Sequence, residues 1–446
     1  MQIAVIGTGY VGLVVGCALA DFGNEVTCAD LDAERIAGLR AGQIPFFEPG
    51  LGSLLHDNLR AGRLRFTADP AQAAAGAEVI FIAVGTPGRA DGSADTSQVL
   101  AAAQSVAPVL SGPTVLAIKS TVPVGTTERV REAVAAITNQ PFAVVANPEF
   151  LKEGNAVEDF LRPMRVIVGV GPGAGRGMDD ERVRNLMRRV YAPMLRTSDR
   201  LLFMDARSAE LTKYACNAYL ATRVSFINDV AALCERMGAD VEQVRRGMGM
   251  DVRIGPHFLF PGIGFGGSCL PKDLRALQVT ARQFGLELPI VAAAAAVNAR
   301  QPRSFLARIL GHFGANGGPS ALRGRRIAVW GLAFKPETDD LREAPSLSII
   351  QGLLDHGAQV AASDPAALPA ARRCLDTRVE LHADAYEAAQ RADALVLCTE
   401  WRQYRQPDFL RLRRIMAGHV LFDGRNQWDP AQVRELGFCY YGIGRP

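Results

Sequence analysis

No long uncharged apolar stretch occurs anywhere in the 446 residues, which excludes a transmembrane helix. Charge of one sign is lacking too. Lys and Arg number 49 against 46 Asp and Glu, and a net charge of +3 makes no field that would draw a nucleic acid or a membrane surface. Cysteines in short paired spacings are absent. The eight present, Cys17, Cys28, Cys216, Cys234, Cys269, Cys374, Cys398 and Cys439, stand singly, which excludes the usual zinc site or redox dithiol and points to a reducing, cytoplasmic setting with no bound metal. The opening MQIAVIGTGYVG has no basic segment or small-residue cleavage site, so a soluble, unexported protein is expected.

What is present is the composition of a globular protein, 48% hydrophobic and 21% charged, long enough for two or three domains. Short apolar runs, Ile3 to Ile6, Val26 to Ala29, Val79 to Val84, Thr114 to Ile118, Phe142 to Ala146 and Val166 to Val170, alternate with helical patterns. Such alternation predicts a doubly wound parallel α/β sheet. Between Asp205 and Arg236 there is neither Gly nor Pro, and Leu211, Tyr214, Ala218, Ala221, Ile227, Ala231 and Cys234 recur at near-helical spacing. One long helix is predicted there, bridging two domains and able to support a dimer.

A Gly/Pro/Ser cluster from Gly314 to Ser320 reads as a linker, and after it the opening pattern returns. IAVIGTGYVG is echoed by IAVWGLAFKP from Ile327, EVTCAD by QVAASD ending at Asp364, and EVIFIAVGTP by DALVLCTEW from Asp393. Two Rossmann-like units are therefore expected, joined by a central helical domain. Only the first keeps the glycines of a dinucleotide site.

Those glycines are Gly7, Gly9 and Gly12, a G-x-G-x-x-G directly after a strand, with Asp30 ending the next strand. The context predicts a tight turn, a backbone open to a pyrophosphate and a positive helix end beneath it. Asp30 would accept hydrogen bonds from ribose and repel a 2′-phosphate, selecting NAD, with Arg35 nearby working against that preference. Thr86 and Pro87 follow the apolar run that ends at Val84, where open sheets place ligands.

The chemical signal is strongest in GFGGSCLPKD, Gly264 to Asp273, where a Gly-rich loop delivers Cys269 to a helix start. The helix dipole and Lys272 would favour a thiolate, and Gly266 and Gly267 would let a substrate approach it. In a helix, Lys272 and Asp273 lie three and four residues on and share a face with the sulfur. The other seven cysteines fit apolar strands or helices and read as buried and inert. On the long helix Lys213 and Asn217, four apart, project together as a cation and an amide able to hold one oxygen. NPEFLKEG, Asn147 to Gly154, follows the fifth run and offers Glu149, Lys152 and Glu153.

Taken with F-E-P-G-L at Phe47 to Leu51, KSTVPVGTT from Lys119 and GLAFKPETDDLREAPS from Gly331, these motifs resemble the UDP-glucose dehydrogenase family, within the UDP-glucose/GDP-mannose dehydrogenase superfamily, over nearly the whole length. The resemblance implies an NAD-binding domain over residues 1–200, a helical dimerisation domain over 201–313 and a C-terminal domain over 321–446 for the UDP moiety. It implies a homodimer acting on UDP-glucose. Cys269 would be the nucleophile, Lys213 and Asn217 would stabilise the oxyanion, Asp273 with Thr121 would position and activate water, and Glu149 would assist thioester hydrolysis. Gly7, Gly9, Tyr10, Val11, Gly12, Asp30, Arg35, Thr86, Thr121, Glu153, Lys272 and Arg342 fall to NAD.

Phe150, Leu151, Lys152, Glu153, Lys213, Asn217, Phe258, Leu259, Phe260, Pro261, Gly262, Gly266 and Lys335 fall to the sugar nucleotide, with Arg253 reaching a partner subunit's substrate. The chemistry explains the cysteine independently. An aldehyde carries no second transferable hydride until a nucleophile makes it tetrahedral, so oxidation of an alcohol to an acid needs one. Three alternatives compete. A dehydrogenase for GDP-mannose or a UDP-N-acetyl sugar would share this logic. A β-hydroxyacid dehydrogenase would need neither Cys269 nor the repeated domain, and a non-catalytic sensor of NAD and a nucleotide sugar would use the cysteine only in packing.

Overall fold

Along strand β1 (Gln2–Ile6), Ile3 and Val5 enter one buried cluster while Ala4 and Ile6 enter another on the opposite face. A strand covered on both faces has no wet side, and so it reads as a continuous apolar run. The same holds for β4 (Val79–Ile82), β5 (Thr114–Ile118) and β6 (Phe142–Ala146), buried at every position. The computed structural model describes residues 1–171, 173, 175–195, 200–314 and 320–446, so the middle of the expected linker, 315–319, lies outside the described residues.

With β2 (Glu25–Ala29), β3 (Leu64–Thr67), β7 (Val166–Gly169), β8 (Gly175–Arg176) and β9 (Leu201–Met204), these strands form a sheet in the order β3-β2-β1-β4-β5-β6-β7-β9, with β8 beside β6. The pairs from β3 to β6 are parallel, and β7 runs antiparallel to β6. The edge strands are less covered: Arg65 interrupts β3 and is exposed, and β9, though apolar throughout, is only half-buried. The second sheet, β10 (Arg326–Trp330), β11 (Gln359–Ser363), β12 (Glu380–Leu381), β13 (Ala394–Leu397), β14 (Val420–Asp423) and β15 (Cys439–Tyr441), has the order β12-β11-β10-β13-β14-β15 and is parallel throughout. That order repeats the first six strands of the first sheet. Both are doubly wound, and the duplication legible in the sequence is a duplication of topology.

The chain divides into two compact units, Met1–Cys216 with Arg275–Leu286, and Asn217–Leu274 with Glu287–Pro446. The predicted long helix is present as Ala206–Met237, 32 residues, and the division falls within it. In the second unit the sheet shares one core with that helix's later half and with helix Pro289–His312: Ile227, Ala231, Phe305, Ile309, Val329 and Trp330 belong to a single buried cluster. Among the described residues no helix is long and apolar enough to cross a membrane. Not every cysteine is buried as expected. Cys216 is half-buried, and Cys374 and Cys439 are exposed, the one closing a helix and the other opening a strand at the surface rather than lining a core.

Candidate active site

Gly7, just after β1, sits at φ +99°, and a Cβ there would lie 2.6 Å from the Ala83 carbonyl oxygen. At Gly12 an added Cβ would come within 1.9 Å of the Gly7 carbonyl oxygen, so helix Tyr10–Asp21 can sit this close to the turn only with glycine. Over Gly9, by contrast, a Cβ would meet nothing within 4 Å, and no side chain caps the helix that follows. Open space over Gly9 and an uncapped, positive helix end are what a pyrophosphate requires. Asp30 follows β2, and its Oδ2 accepts from the Thr8 N–H at 2.8 Å, the Thr8 hydroxyl at 2.9 Å and Arg35 Nη1 at 3.2 Å. Partial burial pushes this carboxyl up, but hydrogen bonds from Thr8 and Asp32 and the charge of Arg35 outweigh it and hold it below the usual range. An ionised carboxylate here suits ribose hydroxyls and opposes a 2′-phosphate, and these residues fit NAD.

The second sheet answers differently at the same place. Asp364 follows β11 as Asp30 follows β2, but it is 1% exposed and accepts the N–H groups of Leu332, Ala333, Ala366 and Ala367 and the Trp401 indole at 2.7 to 3.1 Å. Its lone pairs are already committed. The helix after β10 begins only at Pro345, leaving a long connection where the first unit has a tight turn.

In the first unit two loops leave neighbouring strands side by side, since Ile118 and Ala146 are register partners at the ends of β5 and β6. The loop after β5 carries Thr121, whose carbonyl accepts the Thr86 hydroxyl at 3.0 Å. The loop after β6 carries Glu149, and its buried carboxylate pairs with Lys213 Nζ at 2.9 Å, both side chains at most 6% exposed. The charge run read from Glu149 to Glu153 therefore divides: Glu149 is buried, while Lys152 is exposed on Asp159 at 2.7 Å. Phe150 lies under two cations, Arg165 at 3.8 Å and Lys213 at 5.4 Å from its ring centre. Leu151, Tyr10 and Val11 pack partly against the core.

In the second unit Cys269 is exposed, and its carbonyl accepts the Asp273 N–H at 2.9 Å, opening helix Leu270–Gln283. The positive end of that helix favours a negative sulfur. Asp273, 1% exposed, divides its oxygens: Oδ1 takes Lys272 Nζ at 2.7 Å and Oδ2 takes Asn217 Nδ2 at 2.6 Å. The cation expected beside the thiol is thus committed to the carboxylate. The preceding loop is held along its backbone. Gly262 N–H donates to Asn228 Oδ1 at 2.9 Å, Phe265 exchanges two bonds with the Asn298 amide at 2.8 and 2.9 Å, and Gly267 N–H donates to the Arg342 carbonyl at 2.8 Å. A Cβ on Gly266 would lie 2.2 Å from the Glu343 carbonyl oxygen, so this loop and the connection after β10, with Lys335 and Arg342, can meet only through glycine.

Other expected residues are spread more widely. The side chains of Arg342 and Arg253 each grip a nearby aspartate, Asp340 at 2.8 Å and Asp251 at 2.6 Å, and both are largely exposed. Leu259 is turned into the core and Pro261 is buried, while Phe260 is exposed beneath Arg245, whose guanidinium lies 4.4 Å from its ring centre. Phe258 adopts φ +59°, a conformation uncommon for a side chain of its size.

Three models of one family match in chain order: the NAD binding domain over residues 1–195, the central domain over 207–300 and the UDP binding domain over 328–430. The chain belongs to the UDP-glucose/GDP-mannose dehydrogenase family. It is an NAD-dependent oxidoreductase with a UDP binding domain of that family. A UDP-glucose 6-dehydrogenase of Pseudomonas aeruginosa is 50% identical over 100% of this chain and 98% of that protein, and one of Rhizobium meliloti is 46% identical over 100% of both. Among solved structures, a UDP-glucose dehydrogenase from Pyrobaculum islandicum is similar with a TM-score of 0.89 and 38% identity, covering 100% of this chain and 98% of that one. A UDP-D-ManNAc dehydrogenase from Pyrococcus horikoshii is similar with a TM-score of 0.85 and 28% identity, covering 100% and 99%.

Several residues that hold this family member's candidate site together escape a reading by motif. Glu48 of F-E-P-G-L accepts the Gly154 and Ala156 N–H groups at 2.6 and 2.7 Å, fastening the loop that carries Glu149 and Glu153. Glu210, one turn before Lys213, accepts the Gly125 and Thr127 N–H groups at 2.6 and 2.8 Å and so ties the Thr121 loop to the long helix. Its spacing of three and seven residues from Lys213 and Asn217 was the available signal.

Proposed function

We propose that this enzyme oxidises the C6 alcohol of UDP-glucose to the carboxylate of UDP-glucuronate in two steps, through a thiohemiacetal and a thioester on Cys269. The observation that carries the reading is an exposed thiol at the positive end of a helix, on a loop clamped along its backbone, with buried Asp273 one turn on. UDP-glucose is preferred among sugar nucleotides because the relatives and structure at 50%, 46% and 38% identity bear that substrate in their names, whereas the UDP-D-ManNAc dehydrogenase is 28% identical.

NAD, when bound, supplies the hydride acceptor. Cys269 adds to the C6 aldehyde and makes it tetrahedral, which the second oxidation requires. Lys213 and Asn217 hold negative charge on the reacting oxygen, and removing such a donor costs about 10²-fold or more in rate. Asp273 and Thr121 position the water that opens the thioester, and Glu149 assists. Gly7, Gly9, Gly12, Asp30, Arg35, Thr86, Glu153, Lys272 and Arg342 serve the cofactor. Phe150 to Glu153, Phe258 to Gly262, Gly266 and Lys335 serve the sugar nucleotide. Residues 1–200, 201–313 and 321–446 would be the NAD, helical and UDP domains of a protein working in the reducing cytoplasm.

The active form is a homodimer. Helix Ala206–Met237 exposes Leu211, Tyr219, Phe226, Leu233 and Met237 by 45% to 71%, and at about 100° per residue they fall on one stripe that a second copy would cover. Arg253, exposed on the second unit, would reach that copy's substrate. Incubation with NAD and a panel of sugar nucleotides should yield two NADH per UDP-glucose and none from GDP-mannose. In Cys269→Ala acid formation should vanish; two NADH per UDP-glucose from that variant would overturn the mechanism.

A further inference from the structure

Among the described residues, one buried cation has no part in the proposed reaction. Lys119, directly after β5, is 4% exposed, and its Nζ donates to the Tyr191 hydroxyl at 3.2 Å with the rings of Phe160 and Tyr191 within 5.7 Å. The Tyr191 hydroxyl in turn donates to Asn147 Oδ1, and Asn147 leaves the neighbouring strand β6 two residues before Glu149. Lys119 and the Glu149 loop therefore start from paired positions, since Ile118 and Ala146 are register partners and the Asn147 N–H donates to the Ile118 carbonyl at 2.9 Å. Three elements close the cluster: helix Ala156–Leu161 with Phe160, helix Asp180–Tyr191 with Tyr191, and the long helix with Lys213. The charges acting on Lys119 are those of Glu149 and Lys213.

One buried carboxylate thus serves two buried ammonium groups, pairing directly with Lys213 and acting by its charge on Lys119 from the neighbouring strand end. Glu149 holds Lys213 at 2.9 Å, but the reaction asks Lys213 to serve the substrate oxygen. A buried carboxylate deprived of its cation takes up a proton or shifts. We propose that Lys119 is a positioning residue, a second ammonium that keeps Glu149 charged and in place while Lys213 is engaged with the reacting oxygen. This rests on the roles given to Lys213 and Glu149 above. Burial, and then the charge of Lys213, act against the Lys119 ammonium while Glu149 supports it, and the outcome is a value lowered to about 8. Its charge is therefore lost just above neutrality, and the support for Glu149 goes with it.

The test is the pH dependence of kcat for UDP-glucose. Wild type should lose activity on an alkaline limb centred near pH 8. Lys119→Met should lower kcat at neutral pH by about 10-fold or more and abolish that limb. Tyr191→Phe removes the hydroxyl that accepts from the charged lysine and should move the limb to lower pH even if Lys119→Met does not fold. A wild-type profile flat to pH 10, a limb unchanged in Tyr191→Phe, or Lys119→Met retaining the limb would each overturn the inference. If wild type does not turn over UDP-glucose, the substrate reading fails and unfolding decides for Lys119. A lysine depressed on folding is less protonated in the native state, so wild type must gain Tm over Lys119→Met as pH rises from about 8 towards 10. No such gain would count against it.

Discussion

At the scale of single residues, the candidate site is defined by charges that are buried and already committed. Lys213 is paired with Glu149 in the first unit and Asn217 with Asp273 in the second, so each proposed donor is oriented within its own unit before a substrate arrives. Pre-orientation of this kind spares reorganisation during reaction. Lys213→Met should lower kcat by about 10²-fold while NAD affinity, assigned above to residues such as Gly9 and Asp30, is unchanged; steady-state rates and NAD titration check the two arms. Gly12→Ala should do the opposite. Its Cβ would strike the Gly7 carbonyl oxygen at 1.9 Å, so the turn must open, and NAD affinity should fall by about 10-fold or more.

Among elements, helix Ala206–Met237 joins several tasks. One face carries Glu210, Lys213 and Asn217 into buried polar networks, and further along Ile227, Ala231 and Cys234 enter the core of the second unit. Its exposed stripe is the surface proposed to meet a second copy. Phe226→Glu together with Leu233→Glu would place two charges in the seam of the proposed homodimer, and the double variant should sediment as a monomer with its far-ultraviolet dichroism intact. The Cys269 loop depends on helix Pro289–His312 in the same way, through the two bonds between Asn298 and Phe265.

For the whole molecule, all three tryptophans, Trp330, Trp401 and Trp428, are buried in the second unit, so fluorescence-detected unfolding reports that unit alone. Asp423, fully buried at the end of β14, is pushed by burial up to about 6, against hydrogen bonds from Trp428, Arg425, Tyr440 and Gln427. A carboxyl raised on folding binds its proton more tightly in the native state. Its contribution is fully present below the unfolded value near 3.9, and about 3 kcal/mol is lost as pH rises to about 6. The stability of wild type relative to Asp423→Asn, followed by tryptophan fluorescence in denaturant, should therefore fall between about pH 4 and pH 6. An unchanged difference would show that Asp423 keeps an ordinary affinity for its proton.

The sequence by itself determined the doubly wound topology, its duplication, the dinucleotide turn and the placing of Cys269 at a helix start, because these follow from local rules. Strand burial is written in apolar runs, a left-handed turn demands glycine, and a thiol at a helix start has its chemistry from its neighbours. The tertiary structure alone decided what holds the site in place. Glu48 reaches 106 residues along the chain to Gly154, Glu210 reaches 85 to Gly125, Lys119 reaches 72 to Tyr191, and Asn298 reaches 33 to Phe265. A polar residue read alone looks solvated. Only folding removes water and leaves each buried group a fixed set of partners, and those partners are chosen by the packing of distant elements rather than by spacing.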